Sequence, residues 1–130
     1  MAFLLDTNIA IHARDGHPGV LDQLERHADG AILSALTLAE LRRGVFRLDH
    51  ADRQLRASRL SVLLEYLPIA PFDQAAADAY GEIIAHCGWV RARDFDRMIA
   101  GHAISLSAAL VTNNTADFRD IPGLDLVDWV

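Results

Sequence analysis

Three polar residues, Asp6, Thr7 and Asn8, follow directly on a short apolar stretch at residues 2–5. A carboxylate, a hydroxyl and an amide at the end of a buried strand indicate either the cap of the next helix or the floor of a functional site. The choice between these interpretations depends on which other polar groups the fold brings to the same place.

Carboxylate and amide side chains also stand at the ends of other predicted elements. Glu40 lies one turn into the helix after the second strand, and Asp96 lies in the first turn of the helix that leads to the fourth strand. Asn113 and Asn114 follow the fourth strand directly. In an open parallel sheet the functional crevice lies outside the carboxyl ends of the strands. If the first and fourth strands are neighbours, these groups converge on one edge together with Asp6.

Such a convergence of carboxylates has a chemical consequence. Three carboxylates within about 4–5 Å of one another repel by roughly 3–4 kcal/mol per pair at an effective dielectric constant near 20. A fold tolerates this repulsion only if protons or cations neutralise the cluster. Ligand sets made only of oxygen select hard cations such as Mg²⁺ or Mn²⁺. Such an ion activates water and stabilises a leaving oxygen, so the pattern predicts phosphate chemistry without a nucleophilic side chain.

Each acid also has a purely structural interpretation. Thr37 and Glu40 have the spacing of a helix capping box. Asp94 fits the N-cap of the helix that carries Asp96, and Asp96 itself fits a favourable interaction with the dipole of that helix. Asp96, however, shares its helical line with a row of alanine and serine residues, a narrow face suited to close packing that a cap does not need.

Short apolar runs alternate with helical patterns along the chain. The predicted strands lie at residues 2–5, 31–33, 67–69, 109–112 and 126–127, the third at a sheet edge because it contains proline. The predicted helices lie at residues 7–13, 18–29, 37–48, 52–65, 74–87 and 95–107. Strands that alternate with helices form a parallel sheet covered on both faces. We therefore expect an α/β fold, a single-domain α/β/α sandwich over residues 1–130 with a short, mostly parallel sheet.

The composition indicates one cytoplasmic domain. The chain has 130 residues, of which 52% are hydrophobic. A chain of this length buries roughly two thirds of its unfolded surface, which is enough for one core. No apolar run approaches the roughly 18 residues that span a bilayer, and no basic region precedes residues 2–5, so we expect no membrane association and no signal peptide. The single cysteine, Cys87, suits a reducing compartment.

The charged residues exclude several kinds of site. Every basic side chain is arginine, so the chain has no Walker A lysine and no Schiff base. The histidines are scattered without His-Glu-x-x-His spacing, which argues against zinc, and His102 on an apolar helix is interpreted as structural. The net charge of −6 argues against binding of nucleic acid through the overall field, although arginines crowd residues 42–59.

These positions, in this order, resemble the PIN-domain family, and most closely the VapC toxins of bacterial toxin–antitoxin pairs. The resemblance covers essentially the whole chain. Its carriers are residues 5–8 (LDTN), 34–44 (SALTLAELRRG), 96–103 (DRMIAGHA), 110–114 (LVTNN), 117–118 (DF) and 121–124 (IPGL), with Trp129 near the end. Each piece alone is weakly specific, but their order over this length is highly specific.

The resemblance implies an endoribonuclease that depends on Mg²⁺ or Mn²⁺. By motif match, Asp6, Glu40 and Asp96 are the three catalytic acids that carry the metal. Asn114 occupies the place where many relatives have a fourth acid, which puts a second metal ion in doubt because an amide oxygen is a neutral, weaker ligand. Asp117, about one helical turn further on, is the alternative ligand.

The resemblance also implies roles for groups around the acids. Thr7, Asn8 and Thr112 would orient the acids, and Asp94 is a further supporting candidate.

Four arginines are candidates for RNA binding. Arg91 and Arg93 stand where relatives often carry an Ile-Gly pair and would lie near a phosphate. Arg42 and Arg43, in the arginine-rich segment, would position the RNA backbone against the overall negative charge of the chain.

The implied partners are an RNA substrate and a VapB-like antitoxin. We expect the antitoxin to contact the helices around residues 42–65. The resemblance further implies a homodimer, or a hetero-oligomer of toxin and antitoxin.

Two other functions are compatible with the sequence. A non-catalytic PIN-like module that binds RNA or protein would show a broken set of acids, whereas the three principal acids are intact here. A metal-dependent nuclease acting on DNA would use the same carboxylate cluster, so composition does not exclude it.

Overall fold

The computed structural model describes all residues from Met1 to Val130. Five short strands form one sheet: β1 (Phe3–Leu5), β2 (Ala31–Ser34), β3 (Ile69–Ala70), β4 (Ala109–Val111) and β5 (Leu126–Val127). Six α-helices pack around it: α1 (Thr7–Arg14), α2 (Pro18–Arg26), α3 (Ala35–Phe46), α4 (His50–Tyr66), α5 (Gln74–Cys87) and α6 (Asp94–Ser105). Two short 3-10 helices, Arg91–Arg93 and Thr115–Phe118, precede α6 and follow β4.

The sheet has the strand order β3-β2-β1-β4-β5, and every pairing is parallel. The central strand is β1, in which Leu4 pairs in register with Ile32 of β2 and Leu110 of β4. The first and fourth strands are therefore neighbours, which is the condition for the predicted convergence of acids. The third strand lies at an edge, as predicted, but it begins at Ile69, so that Pro68 precedes it rather than lying within it.

Alternation along β1 divides the interior into two cores. Phe3 and Leu5 pack with residues of α1 to α4, whereas Leu4 packs with residues of α5 and α6 on the other face. Burial on both faces explains why the strands are continuous apolar runs. The expected single-domain α/β/α sandwich is confirmed. None of the helices combines the length and the apolarity that crossing a membrane requires.

The start of α3 differs from the sequence prediction. This helix begins at Ala35, because Ser34 is its N-cap and the Ser34 Oγ accepts a hydrogen bond from the backbone N–H of Leu36 at 3.1 Å. Thr37 is therefore inside the helix and fully buried. The predicted capping box between Thr37 and Glu40 is wrong, and the Glu40 carboxylate is available for another role.

The predicted N-cap of α6 is also wrong. Arg93 occupies the N-cap position, and Asp94 is already helical because the preceding 3-10 helix leads directly into α6. The Asp94 carboxylate instead accepts a hydrogen bond from the Tyr80 hydroxyl of α5. Asp94 therefore joins two helices rather than capping one.

Helices α5 and α6 pack closely at Gly101. A Cβ atom at this position would lie 2.7 Å from the backbone nitrogen of Tyr80 and 2.8 Å from its Cα. Only glycine allows this approach. Because α6 carries Asp96, the contact helps to fix the position of a predicted site residue.

Candidate active site

The carboxyl ends of three neighbouring strands bring most of the predicted site residues to one edge of the sheet. Strand β1 runs into Asp6, whose backbone N–H donates to the Val111 carbonyl of β4 at 3.0 Å. Strand β2 runs into α3, which carries Glu40, and β4 runs into Thr112. Asp96 reaches the same region from the first turn of α6.

Asp6 is both a helix cap and a member of an acidic cluster. Its Oδ1 accepts a hydrogen bond from the backbone N–H of Ile9 at 2.9 Å, so the capping interpretation is confirmed. Burial raises the pKa of Asp6, and hydrogen bonds with Thr112 and Ile9 act in the opposite direction. A carboxylate offers about four lone-pair sites, so the cap does not exhaust its capacity to bind another group.

The fully buried Thr112 hydroxyl lies beside Asp6. Its Oγ1 accepts a hydrogen bond from the backbone N–H of Asn114 at 3.0 Å. The hydroxyl proton is then available to the Asp6 carboxylate, and this hydrogen bond lowers the pKa of Asp6. Thr112 thus connects the end of β4 to the acid at the end of β1.

Asp96 has strongly acidic surroundings. Burial raises the pKa of Asp96, and the negative charges of Asp6, Asp117 and Glu40 raise it further. Arg93 acts in the opposite direction and lowers it. Four carboxylates from separate parts of the chain therefore share one electrostatic neighbourhood.

Glu40 lies between this neighbourhood and two arginines, Arg43 of α3 and Arg47 at its C-cap. Burial raises the pKa of Glu40. The charges of Arg43 and Arg47 lower this pKa, and the charge of Asp6 raises it. The two arginines lie one and two turns beyond Glu40 on the same face of the helix. Arg47 was not among the predicted site residues, although its spacing of seven from Glu40 would have identified it.

The turn after β4 provides Asp117 rather than Asn114 to the acidic neighbourhood. The Asn114 side-chain amide donates a hydrogen bond to the Asp117 carboxylate. The charge of Asp117 raises the pKa of Asp96. The sequence left open whether Asn114 or Asp117 belongs to the site. In the structure, Asp117 contributes negative charge to the cluster, and the Asn114 side chain is hydrogen-bonded to Asp117.

Thr7 and Asn8 contribute in different ways. The hydroxyl oxygens of Thr7 and Thr37 are 3.5 Å apart and link the first turn of α1 to α3. Asn8 acts through its backbone N–H, which donates to Asp6 and lowers its pKa, while its side chain is exposed. Thr37, which the sequence interpretation assigned to a cap, is therefore part of the support of the site.

The remaining predicted residues divide into two groups. Arg43 and Arg93 lie close enough to act on the acids electrostatically. Arg42 and Arg91 are exposed and are not among the charges that shift the pKa of these acids. Asp94 is hydrogen-bonded to Tyr80 and does not join the cluster.

The donor set fits a hard cation. No three side chains of His, Cys, Asp or Glu are arranged as a finished metal site, so the acids share a neighbourhood without the mutual contact that we expected from the sequence. Carboxylates repel one another and come into contact only with a proton or a cation between them. Burial and three neighbouring carboxylates raise the pKa of Asp96, and Arg93 acts against them. An all-oxygen donor set with excess negative charge suits Mg²⁺ or Mn²⁺ better than softer metals.

An α/β/α sandwich with a parallel five-stranded sheet and acids at its carboxyl edge is the arrangement of a PIN domain. The model of the PIN domain family matches residues 3–124, and the chain belongs to this family. Ribonuclease VapC2 of Rickettsia felis is 35% identical, with 99% of this chain and 98% of that protein covered. The tRNA(fMet)-specific endonuclease VapC of Shigella flexneri is 33% identical, with the same coverage of 99% and 98%.

A solved structure supports the same relationship. The crystal structure of VapBC2 from Rickettsia felis, bound to a DNA fragment from its promoter, contains a chain with 34% sequence identity and a TM-score of 0.86. The match covers 100% of both chains. The resemblance predicted from the motifs is confirmed. Ribonucleases with a PIN domain generally depend on divalent metal ions.

Proposed function

We propose that this chain is an endoribonuclease and the toxin of a VapBC-type toxin–antitoxin pair. The observation that carries the proposal is the gathering of acids around Asp96, whose pKa is raised by burial and then by Asp6, Asp117 and Glu40. Buried, mutually repelling acids at the edge of a parallel sheet are typical of a functional site. The names of the relatives, a ribonuclease and a tRNA endonuclease, support RNA as the substrate.

In this proposal Asp6, Glu40 and Asp96 hold a Mg²⁺ or Mn²⁺ ion, with Asp117 as a further ligand. When bound, such an ion lowers the pKa of the attacking water and offsets charge on the phosphodiester. The chain itself holds the acids in place. Thr112 fixes the orientation of the Asp6 carboxylate, and such supporting hydrogen bonds commonly affect metal affinity by 10- to 100-fold.

Arginines next to the acids bind the RNA backbone. Arg43 and Arg93 already act on the carboxylates through their charge, and Arg47 lies on the same face of α3 as Arg43. Guanidinium groups bind phosphate oxygens through paired hydrogen bonds. These arginines provide a local attraction for a phosphate chain on a protein whose net charge is −6. Arg42 and Arg91 extend the contact from exposed positions.

Cleavage of an end-labelled single-stranded RNA tests the proposed function. We expect cleavage with Mg²⁺ or Mn²⁺, none with EDTA, and a loss of about 100-fold or more in Asp6→Asn and Asp96→Asn. Asp78→Asn, which removes an exposed carboxylate from α5, serves as the matched control and retains activity. Cleavage that resists EDTA contradicts the metal assignment. Cleavage of single-stranded DNA of the same sequence, but not of RNA, identifies a DNA nuclease instead.

The antitoxin binds at an apolar groove between α2 and α4. The groove has a volume of about 470 Å³ and is lined by hydrophobic residues that include Leu21 and Leu24 of α2 and Val62 and Tyr66 of α4. The Val62 side chain is 54% exposed, which is unfavourable unless a partner covers it. From the sequence we expected the antitoxin to contact residues 42–65. The groove limits this contact surface to the later turns of α4 and extends it to α2.

A charge placed in the groove tests this assignment. Val62→Asp should weaken binding of the small protein encoded beside this gene, measured by co-purification, and leave RNA cleavage unchanged. Ser61→Asp places the same charge on the outer face of α4, outside the groove, and should bind normally. Equal binding by both variants contradicts the groove as the docking site.

We also propose that the chain forms a homodimer, alone or within a toxin–antitoxin hetero-oligomer, and that it acts in the cytoplasm. A reducing compartment fits the lone Cys87, which is not paired in a disulfide. Sedimentation equilibrium of the purified chain measures the oligomeric state. A monomer at micromolar concentration contradicts the homodimer.

A further inference from the structure

The exposed Trp89 has no packing role in the fold. Its side chain is 60% exposed, the adjacent Val90 is 44% exposed, and neither belongs to either hydrophobic core. The second tryptophan provides a contrast, since Trp129 is 6% exposed and stacks on His27 with 5.5 Å between ring centroids. A large apolar ring left in water indicates an interaction site.

Several of the other exposed apolar residues are explained by their surroundings. Leu21, Val62 and Tyr66 line the groove between α2 and α4. Phe46 lies beneath the Arg53 guanidinium, 5.4 Å from the ring centroid. Trp89 forms no aromatic pair and lies outside the groove, so it requires a different explanation.

The segment that carries Trp89 adjoins the acidic cluster. Gly88, with a φ of +79°, ends α5 and redirects the chain. The backbone N–H of Arg93 then donates to the Val90 carbonyl at 3.0 Å, so the chain closes a tight turn between these residues. Arg93 lies close enough to Asp96 to lower its pKa. Trp89 therefore precedes, by a single tight turn, an arginine that acts on the candidate active site.

The charges around Trp89 favour an anionic partner. Arg91 and Arg93 are exposed, and neither forms an ion pair within 4.0 Å. An aromatic ring beside arginines is the usual chemistry of single-stranded nucleic acid binding, in which bases stack on the ring and cations contact the phosphates. A protein with a net charge of −6 binds an anionic chain only where such local positive charge exists.

We propose that Trp89 stacks on an unpaired base of the substrate RNA while Arg91 and Arg93 contact the RNA backbone. This inference rests on the proposed ribonuclease function and specifies its substrate. Both faces of a base inside a duplex are covered by neighbouring bases, so stacking on Trp89 requires an unstacked base. The base that contacts Trp89 must therefore lie in a single strand or a loop.

Intrinsic fluorescence provides a direct test of stacking. In Trp129→Phe, which keeps an aromatic ring in the core, Trp89 is the single tryptophan. A 12-nucleotide single-stranded RNA, added in EDTA so that it is not cleaved, should quench its emission. The same strand annealed to its complement should quench much less. Quenching that is equal for single strand and duplex overturns the inference.

Substitution of the ring tests its contribution to substrate binding. Trp89→Ala should weaken binding of the single strand by about 5- to 150-fold, the range for one stacked base, and Trp89→Phe should restore part of the loss. Cleavage of the single strand should fall in parallel at low substrate concentration. Leu55→Ala removes an apolar side chain of α4 that is 54% exposed and lies outside the groove, and it should bind RNA normally.

The outcomes separate this inference from the function on which it rests. If the unmodified protein cleaves RNA and Trp89→Ala cleaves and binds it equally well, the stacking role is wrong and the ribonuclease stands. If Trp89→Ala instead dissociates a dimer without a direct effect on RNA binding, the ring belongs to an interface between copies of the chain. If the unmodified protein neither binds nor cleaves RNA, the proposed function fails, and the stacking inference fails with it.

Discussion

The acidic cluster should reduce the stability of the fold, and Asp96→Asn tests this directly. Asparagine has nearly the same shape as aspartate but carries no charge. The substitution removes repulsion with Asp6, Asp117 and Glu40. These three acids raise the pKa of Asp96 in addition to the larger effect of burial. We therefore expect a variant that is inactive and yet more stable than the unmodified protein. An ordinary structural aspartate behaves in the opposite way.

The magnitude follows from the charges. At an effective dielectric constant near 20, a carboxylate about 7 Å away contributes roughly 2 kcal/mol of repulsion. Screening by salt reduces this repulsion. The variant also loses the favourable interaction of Asp96 with the dipole of α6, which offsets the gain in stability by about 0.3–1 kcal/mol. We expect a net stabilisation of about 1–2 kcal/mol at pH 7. For a domain of this size that corresponds to a rise in Tm of about 3–8 °C.

The pH dependence has a defined sign. The pKa of Asp96 in the folded state is raised above its ordinary value of 3.8, so the folded protein takes up a proton at a higher pH than the unfolded chain does. The ionised group destabilises the fold at neutral pH, and this penalty disappears as the pH falls through the folded-state pKa. The stability that Asp96→Asn gains over the unmodified protein should therefore be largest near pH 7 and decrease toward pH 4.

Thermal unfolding followed by circular dichroism in EDTA measures the effect. Asp94→Asn is the matched control, because it removes a carboxylate from the same helical turn that accepts a hydrogen bond from Tyr80. We expect that control to lower stability by about 1 kcal/mol. Added Mg²⁺ should raise the Tm of the unmodified protein more than that of Asp96→Asn. A Tm of Asp96→Asn at or below that of the unmodified protein in EDTA at pH 7 would refute the electrostatic cluster.

Three further substitutions test the packing around the site. Gly101→Ala should destabilise the fold by about 1–3 kcal/mol in urea unfolding, because the new Cβ would contact the backbone of α5. As a control, Gly81→Ala should be neutral or slightly stabilising, because no atom lies within 4 Å of a Cβ at that position. Asp120→Asn should destabilise by about 1–3 kcal/mol, since it leaves the buried Arg97 guanidinium without its partner at 2.8 Å; an unchanged urea midpoint contradicts this. Burial lowers the pKa of His102 from 6.5, so the unfolded chain takes up the proton first and stability falls as the pH drops below that value. The decrease in Tm between pH 7.5 and pH 5.5 should be smaller in His102→Gln, and equal decreases would rule out this residue as the cause.

Local sequence signals predicted much of the fold correctly. The apolar runs located all five strands, and Asp73 and Gly88 marked the two ends of α5, where the structure shows an N-cap bond to Ala76 and a positive φ. These signals succeed because they depend on interactions between residues a few positions apart. Prediction was less reliable where two local signals competed. Ser34 caps α3 in place of Thr37, and its hydroxyl also lies 2.8 Å from the buried His102 ring, a contact that the sequence does not reveal.

The sequence by itself determined the order of the strands and helices along the chain and the family, and it predicted the three principal acids. Only the tertiary structure decided that the charge of Asp117 raises the pKa of Asp96, that Arg47 lowers the pKa of Glu40, and that Trp89 is left in solvent. The physical reason is the range of the forces involved. Helix periodicity and capping act between near neighbours in the chain, whereas burial and Coulomb interactions depend on distances in space, which exist only once the sheet has brought remote segments together.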